Sequence, residues 1–369
     1  MRKVFVVCLF SITPFISSFS QSQSDILRPP IYSLTQDEMV SWMDSTTTFW
    51  MDSVDIPGMV VSIVAGDSIV MQKGYGYINK EKTAQVDAST SPFRIASISK
   101  TFTALAVLQL VSEGKLDLNT DVREYISFEI DRYHNGEITL HHLLTHSAGL
   151  DDKILGGGTL NKSEVPKLDQ FLASSMSPQI REPGLTFSYS NMGYTLAGYL
   201  AELESGIPFY EYVNQLILNP LNMKHTFFWR GDEPIYSESK SYFLDDKGFR
   251  EYPPYEILSY PSGSIISTGE DISKYMLMIL NDGSYNGKQI VTPEVIDLFT
   301  QPVFTQDERL PGVRSYGFFN WNINGVNFIN HGGSIEGYRS QLYLFPDNNV
   351  GLFIATNSSW GGWINSEIG

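Results

Sequence analysis

A serine and a lysine three residues apart carry the clearest chemical signal in the sequence. Ser97 and Lys100 stand at the start of an apolar run that continues to residue 111. Residues three apart lie on one face of a helix, so the Lys100 amine can reach the Ser97 hydroxyl. A serine becomes a nucleophile when a nearby base takes its proton, and a desolvated lysine can be that base. The pair therefore indicates acyl transfer through a covalent intermediate on Ser97, with a helix-cap serine as the alternative.

The same spacing occurs a second time, at Ser237 and Lys240. That segment is polar, and no apolar helix follows it. We therefore predict that Ser97, and not Ser237, is the nucleophile.

Tyr189 and Asn191 form a second polar pair, just before a helical run that starts near residue 194. A tyrosine can act as general acid or base, and an asparagine amide can hold a substrate amide by hydrogen bonds. The Tyr-x-Asn pattern recurs at residues 77–79 and 212–214, on a predicted strand and inside a predicted helix. Tyr189 alone lies at a loop-to-helix junction, where a side chain can face a cleft. The alternative is a buried structural tyrosine.

A third candidate element, His331-Gly332-Gly333-Ser334, lies between two β-rich runs. Two glycines in a strand allow another backbone to approach closely, as an extended substrate would. They also leave the Ser334 N–H available as an oxyanion donor, beside the N–H of Ser97 at its helix start. The alternative is a bulged edge strand with a solvent-exposed histidine.

Taken in order, Ser-x-x-Lys, Tyr-x-Asn and His-Gly-Gly resemble the motifs of the serine β-lactamase and penicillin-binding-protein superfamily. The sequence is most similar to the branch that includes class C β-lactamases, D-alanyl-D-alanine carboxypeptidases, D-aminopeptidases and β-lactamase-like esterases. The resemblance extends from about residue 55 to residue 357 and includes segments outside the three motifs. Those segments are residues 93–96, 143–150, 220–223 and 263–268.

The resemblance implies a role for each candidate residue. Ser97 would be acylated, with Lys100 as its base partner and Tyr189 as the proton shuttle. The substrate would be an ester, a peptide or an amide, and the reaction would need no cofactor and no metal ion. The residues expected to bind substrate, with the Ser334 N–H in the oxyanion hole, are Asn191, His331, Gly332, Gly333 and Ser334.

One departure from the class C β-lactamases bears on specificity. They carry a lysine in the third motif, where this chain has His331. A histidine titrates near pH 6.5 and is mostly neutral at pH 7, so a fixed positive charge for a substrate carboxylate is missing. We expect neutral esters or amides to be turned over better than cephalosporins, with a smaller difference in mild acid. The alternative hypothesis is a penicillin-binding sensor or binding module on the same fold, with little or no turnover.

The elements that must position these residues change character along the chain. β-rich runs with hairpin signals lie near both ends, at residues 60–72 and 317–356, and helical runs occupy the middle. This order predicts an α/β protein of the α+β type, with an antiparallel sheet built from both chain ends and flanked by helices, and the family resemblance implies the β-lactamase/transpeptidase-like fold. We assign residues 1–20 to a signal peptide, residues 21–90 and 260–369 to the sheet domain, and residues 91–259 to a mainly helical domain that carries the nucleophile.

Composition restricts the partners and the compartment. The 369 residues carry 25 basic and 41 acidic side chains, a formal net charge of −16, which argues against nucleic-acid or anionic-membrane binding. Arg2 and Lys3 precede a short apolar stretch with a small-residue cleavage pattern at residues 18–20, which predicts a signal peptide and a periplasmic or secreted protein. A membrane anchor is the alternative. No later stretch is long enough to span a bilayer, and the expected partner is a small-molecule or peptide substrate.

The single cysteine, Cys8, lies in the predicted signal peptide, so the mature chain would contain neither a disulfide nor a thiol nucleophile. His142 and His146 lie four residues apart on a predicted helix. No acidic or cysteine ligand accompanies them at a characteristic spacing, so we interpret both as structural histidines.

Overall fold

Strands from the two ends of the chain meet in one antiparallel sheet. The computed structural model describes residues 35–152, 157–229, 239–245, 248–309 and 313–362. The strands of this sheet are β1 (Gly58–Ala65), β2 (Ser68–Gly76), β12 (Val313–Arg314), β13 (Phe319–Ile323), β14 (Val326–Ile335), β15 (Tyr338–Phe345) and β16 (Val350–Thr356). Their order is β12-β13-β14-β15-β16-β1-β2, so the first strand pairs with the last. The predicted sheet built from both chain ends is confirmed.

Between these strands lie helices and short strand pairs. The helices are α1 (Gln36–Val54), α2 (Ser99–Ser112), α3 (Leu140–Leu144), α4 (Leu168–Ser175), α5 (Asn191–Ser205), α6 (Phe209–Val213), α7 (Gly269–Leu280) and α8 (Pro293–Thr300). The short strands are β3 (Phe93–Arg94), β4 (Gly158–Thr159), β5 (Phe227–Phe228), β6 (Tyr242–Asp245), β7 (Gly248–Glu251), β8 (Glu256–Ile257), β9 (Ile265–Ser267), β10 (Ser284–Tyr285) and β11 (Lys288–Gln289). No described helix is long and apolar enough to cross a membrane.

The helix that follows the candidate nucleophile is buried on nearly every side. Its apolar residues run all round the helix, and those from position 102 to position 108 are fully inaccessible to solvent. Phe102 stacks on Tyr275 of α7 with ring centroids 4.1 Å apart. Burial of each large apolar side chain contributes about 1.5–3 kcal/mol, so α2 is held firmly. The helix places the residues at its N-terminal end on a rigid support.

Two elements differ from the sequence predictions. Helix α1, which the sequence analysis did not predict, packs on the outer face of the sheet through Met43 and Met51. Strand β14 does not stop before the His-Gly-Gly motif but continues through it to Ile335. The segment from His331 to Ile335 pairs with β15 in regular register, so the interpretation of it as bulged is wrong. Its pairing with β13 ends at Asn330, so the motif does lie at an edge of the described sheet.

Candidate active site

Ser97 lies in a single 3₁₀ turn, Ala96–Ile98, that leads directly into α2. Residues three apart are eclipsed in a 3₁₀ helix, so the predicted spacing still brings Lys100 over Ser97. The Lys100 Nζ lies 3.3 Å from the Ser97 Oγ. The preceding residue, Ala96, has a φ of 49°, a left-handed conformation that costs free energy for a residue with a Cβ. Backbone strain of this kind is concentrated at functional sites.

Lys100 is fully buried, and its amine has three polar neighbours. Besides Ser97, the Nζ donates to the Asn191 Oδ1 at 2.7 Å and to the backbone carbonyl of Ser262 at 2.7 Å. Burial lowers the pKa of Lys100 to about 7, although the negative charge of Asp152 opposes the shift. A large fraction of the amine is therefore neutral at physiological pH and able to accept a proton.

Lys240 of the second Ser-x-x-Lys match lies in a different environment. Its side chain is exposed and forms an ion pair with Glu251 at 2.9 Å. The hydrogen bond to Glu251 raises the pKa of Lys240, so this amine remains charged. Ser237 lies outside the described residues. The charge state of the two lysines supports the choice of Ser97.

Tyr189 stands on the other side of the Ser97 hydroxyl. Its side chain is hydrogen-bonded to Ser97, and its ring lies 4.8 Å from the Lys100 Nζ. Burial raises the pKa of Tyr189 above the usual range of tyrosine. The phenol therefore stays protonated in the resting site, which leaves Lys100 as the group that can take the first proton.

His146 supports Tyr189 from behind. The two rings are stacked with centroids 4.2 Å apart, and the His146 Nδ1 accepts the backbone N–H of Ser190 at 3.0 Å. His146 has a φ of 57° and lies beyond the end of α3, so its predicted position on a helix is wrong. His142, by contrast, lies on α3 and contacts Thr139 at its N-terminus. Within the described residues, no group of three or more potential metal ligands occurs.

Asn191 begins α5 and is held by Asp152. One carboxylate oxygen of Asp152 accepts the Asn191 backbone N–H at 2.9 Å, and the other accepts the Asn191 Nδ2 at 2.9 Å. The amide oxygen of Asn191 is thereby turned toward Lys100. Because a carboxylate next to the N-terminus of a helix is stabilised by the helix dipole, Asp152 suits this position.

His331 lies on β14 and is only 2% exposed, so the alternative of a solvent-exposed histidine is wrong. Its Nδ1 lies 2.8 Å from the carbonyl oxygen of Gly332, which can only accept, so the Nδ1 carries the proton. The Nε2 is then an acceptor, and it has no partner among the described residues. Burial and the charge of Lys100 lower the pKa of His331 to about 3. This histidine is neutral throughout the ordinary pH range.

The two glycines of the motif have different surroundings. A Cβ on Gly333 would overlap the carbonyl oxygen of Ile95 and the hydroxyl of Ser340. A Cβ on Gly332 would meet only the end of the Gln341 side chain, at 2.8 Å. The backbone that approaches Gly333 is therefore the chain's own, just before the nucleophile, which corrects the prediction that both glycines make room for a substrate.

Six of the eight predicted site residues line one cavity of about 1040 Å³, whereas Lys100 and Gly333 are buried and do not line it. The size suits a small molecule or the end of a peptide. Gly157 and Gly158 also border the cavity, whereas residue 156 lies outside the described part of the chain. The candidate residues on the cavity wall are Ser97, Tyr189, Asn191, His331, Gly332 and Ser334.

Comparison with known proteins places the chain in a family. A family profile described as Beta-lactamase matches residues 44–362. The chain belongs to the Beta-lactamase family. Its fold is that of a serine-hydrolase-type enzyme.

Relatives of this Beta-lactamase family chain include a protein called flp from Staphylococcus aureus strain MRSA252. The two are 27% identical over 85% of this chain and 60% of the relative, so the chain spans less than two thirds of that protein. Among solved structures, the octameric penicillin-binding protein homologue from Pyrococcus abyssi superposes with a TM-score of 0.74 at 28% sequence identity. The match covers 87% of this chain and 74% of the homologue's chain. A hydrolase with promiscuous acyltransferase activity, EstCE1, has a TM-score of 0.75 at 19% identity over 90% and 97% of the two chains, which shows the shared fold.

Sequence reasoning missed three groups of this Beta-lactamase family site. Asp152 and the carbonyl of Ser262 contact the site through Asn191 and Lys100, and His146 supports Tyr189. His146 lies within residues 143–150, a segment that resembles the family, and Asp152 follows it by two residues; this position was the signal that could have pointed to both.

Proposed function

We propose that this chain is a serine hydrolase that forms an acyl-enzyme on Ser97. The observation that carries the proposal is the contact of the Ser97 hydroxyl with two proton carriers of opposite state, a lysine with a pKa of about 7 and a protonated tyrosine. Neutral Lys100 takes the proton of Ser97 as the oxygen attacks the acyl carbonyl. The N–H groups of Ser97 and Ser334 would stabilise the oxyanion.

Tyr189 acts as the general acid in the second half of acylation. The phenol gives its proton to the departing alcohol or amine and regains one from the Lys100 ammonium, so the pair returns to its starting state. Water then attacks the acyl-enzyme, and the same groups act in reverse to release Ser97. No cofactor enters any step.

Substrate preference follows from the neutral His331. Its Nε2 is an acceptor, and an acceptor does not attract a carboxylate. Among the described residues of the cavity wall, the cation is Arg339. Its guanidinium donates to the carbonyls of Ile335 and Tyr338 and lies near the carboxylate of Glu336. We therefore favour neutral esters, amides or peptides over cephalosporins, with weak β-lactam acylation as a side reaction.

A direct test uses the Ser97→Ala variant. We expect fluorophosphonate labelling and turnover of a chromogenic short-chain ester to disappear while the fold persists, because loss of a helix-start hydroxyl costs at most about 2 kcal/mol. Ser237→Ala is the matched control and should retain both. Labelling of Ser97 without turnover of esters, D-Ala-D-Ala peptides or cephalosporins would favour the sensor alternative. Loss of activity in the Ser237 variant would contradict the assignment.

Export is a further part of the proposal, and it rests on the sequence pattern of residues 1–20, which lie outside the described residues. Expression of the full chain followed by fractionation should recover the protein outside the cytoplasm with a new N-terminus near residue 21.

A further inference from the structure

We propose that Asp152 is a positioning residue for acylation: it orients the Asn191 amide that holds Lys100, and it places one negative charge near the Lys100 amine. The inference rests on the proposed serine-hydrolase function. It gives a role to a residue that the three sequence motifs do not include.

The orientation of the Asn191 side-chain amide follows from the chemistry of its two hydrogen-bond partners, the Asp152 carboxylate and the Lys100 amine. A carboxylate oxygen can only accept, so the group that Asn191 turns toward Asp152 at 2.9 Å must be the Nδ2. The Oδ1 then faces Lys100 at 2.7 Å as an acceptor. A flipped amide would set its N–H groups against the Lys100 amine and its oxygen against the carboxylate. Asp152 thus excludes the wrong orientation at both ends.

Asp152 also fixes the backbone of Asn191. Its second oxygen accepts the Asn191 N–H at 2.9 Å, so one carboxylate restrains the main chain and the side chain of the same residue. Two charge-assisted hydrogen bonds in this arrangement give a defined geometry as well as stability. Asn191, Lys100 and Ser97 therefore form a chain of contacts that begins at Asp152.

The charge of Asp152 acts on Lys100 through space. It favours the ammonium form and opposes the effect of burial, so that the lysine titrates close to neutral pH. The other titratable groups around this amine are Tyr189, Tyr194, His146 and His331. Burial raises the pKa of both tyrosines and lowers that of both histidines, so all four are neutral, which leaves Asp152 as the charge that faces Lys100 among the described residues.

The test measures the second-order rate constant for fluorophosphonate labelling of Ser97 from pH 5.5 to pH 9. Asp152→Asn should lower the plateau about tenfold and move the midpoint to lower pH by roughly one unit, because the ammonium loses a nearby opposite charge. Asp152→Glu should restore the midpoint even where the plateau stays low. Asp151→Asn is the matched control, since Asp151 is the exposed neighbour in the same segment. It should behave like the wild type.

A double-mutant cycle separates orientation from charge. In an Asn191→Ala background, Asp152→Asn should no longer lower the plateau but should still shift the midpoint. Thermal unfolding identifies variants that fail to fold, and Asp152→Ser then replaces Asp152→Asn, since a serine hydroxyl can still accept the Asn191 N–H at the helix start.

An unchanged midpoint in folded Asp152→Asn, or in the Asp152→Ser variant that replaces it, or an equal shift in Asp151→Asn, would overturn the inference. Absence of labelling at Ser97 in the wild type would instead overturn the proposed function, and this inference with it. The two failures are therefore distinguishable.

Discussion

The imidazole of His146 lies flat against the ring of Tyr189, with centroids 4.2 Å apart and planes inclined by 28°. The contact fixes the phenol beside Ser97 from the side away from the cavity. Asn tolerates the left-handed backbone that His146 adopts, and its amide can accept the Ser190 N–H, so His146→Asn removes the ring selectively. We expect the rate constant for Ser97 labelling to fall about tenfold, because the Tyr189 phenol would no longer be held in the position that proton transfer requires.

His142→Asn is the control for that variant, since His142 contacts Thr139 at the start of α3 and not Tyr189. Equal losses in both variants would indicate general destabilisation and would contradict a specific role for the stacked ring.

Labelling of Ser97 should also depend on pH through Lys100. The folded pKa of about 7 means that the active, neutral amine is the minor species below neutral pH and the major species above it. The rate constant should therefore rise about tenfold per unit below the midpoint and level off above pH 8. Lys100→Arg should remove this rise, because a guanidinium keeps its proton throughout the range. A wild-type rate that is constant between pH 5.5 and pH 8 would exclude Lys100 as the base.

Much of the site was predictable because its chemistry is local. Ser97 and Lys100 are three residues apart, and their contact depends only on helical geometry and on an apolar helix behind them. The sheet was predictable for a similar reason, because a turn dipeptide such as Asn324-Gly325 between two β-rich runs predicts a hairpin. These features need no knowledge of distant parts of the chain.

Other features depend on contacts between distant segments. The neutral state of His331 results from burial and from the charge of Lys100, and its tautomer is set by the Gly332 carbonyl. None of these surroundings can be predicted from the sequence around His331. Asp152 and Asn191 are 39 residues apart and meet only in the folded chain. The need for glycine at position 333 comes from the Ile95 carbonyl, which no strand pattern reveals.

Replacement of Gly333 by alanine should destabilise the protein more than replacement of Gly332. Gly333→Ala places a Cβ against the backbone at Ile95 and disturbs the hydrogen bond from the Ser340 Oγ to the Ile95 oxygen, 2.8 Å long. We expect a loss of about 1–3 kcal/mol in the free energy of unfolding and strongly reduced labelling of Ser97. Gly332→Ala meets only the flexible end of Gln341, so its stability should change by about 0.5 kcal/mol or less. Denaturant unfolding checks both, and a reversed order would contradict the assigned contact.

His331 should remain neutral in mild acid. From the sequence alone, this histidine is predicted to gain a proton between pH 8 and pH 5.5, but burial lowers its pKa from 6.5 to about 3. The ratio of kcat/KM for a neutral ester to that for a cephalosporin should therefore be constant over this range. His331→Lys should shift the ratio toward the cephalosporin. A wild-type ratio that falls in mild acid would show that the imidazole titrates.

The lowered pKa of His331 also makes the free energy of unfolding depend on pH. The direction is opposite to that for a histidine in an ion pair, whose pKa is raised. Between pH 6.5 and pH 3 the unfolded chain binds a proton at position 331 that the folded chain does not. The free energy of unfolding should therefore fall as pH drops, by about 1.4 kcal/mol per unit for this group. His331→Gln removes the titrating group and can keep the hydrogen bond to Gly332, so its slope between pH 6 and pH 4 should be smaller by that amount. Replacement of the exposed His134 by Gln serves as the control, and equal slopes in the wild type and His331→Gln would mean that His331 accepts its proton in the folded protein.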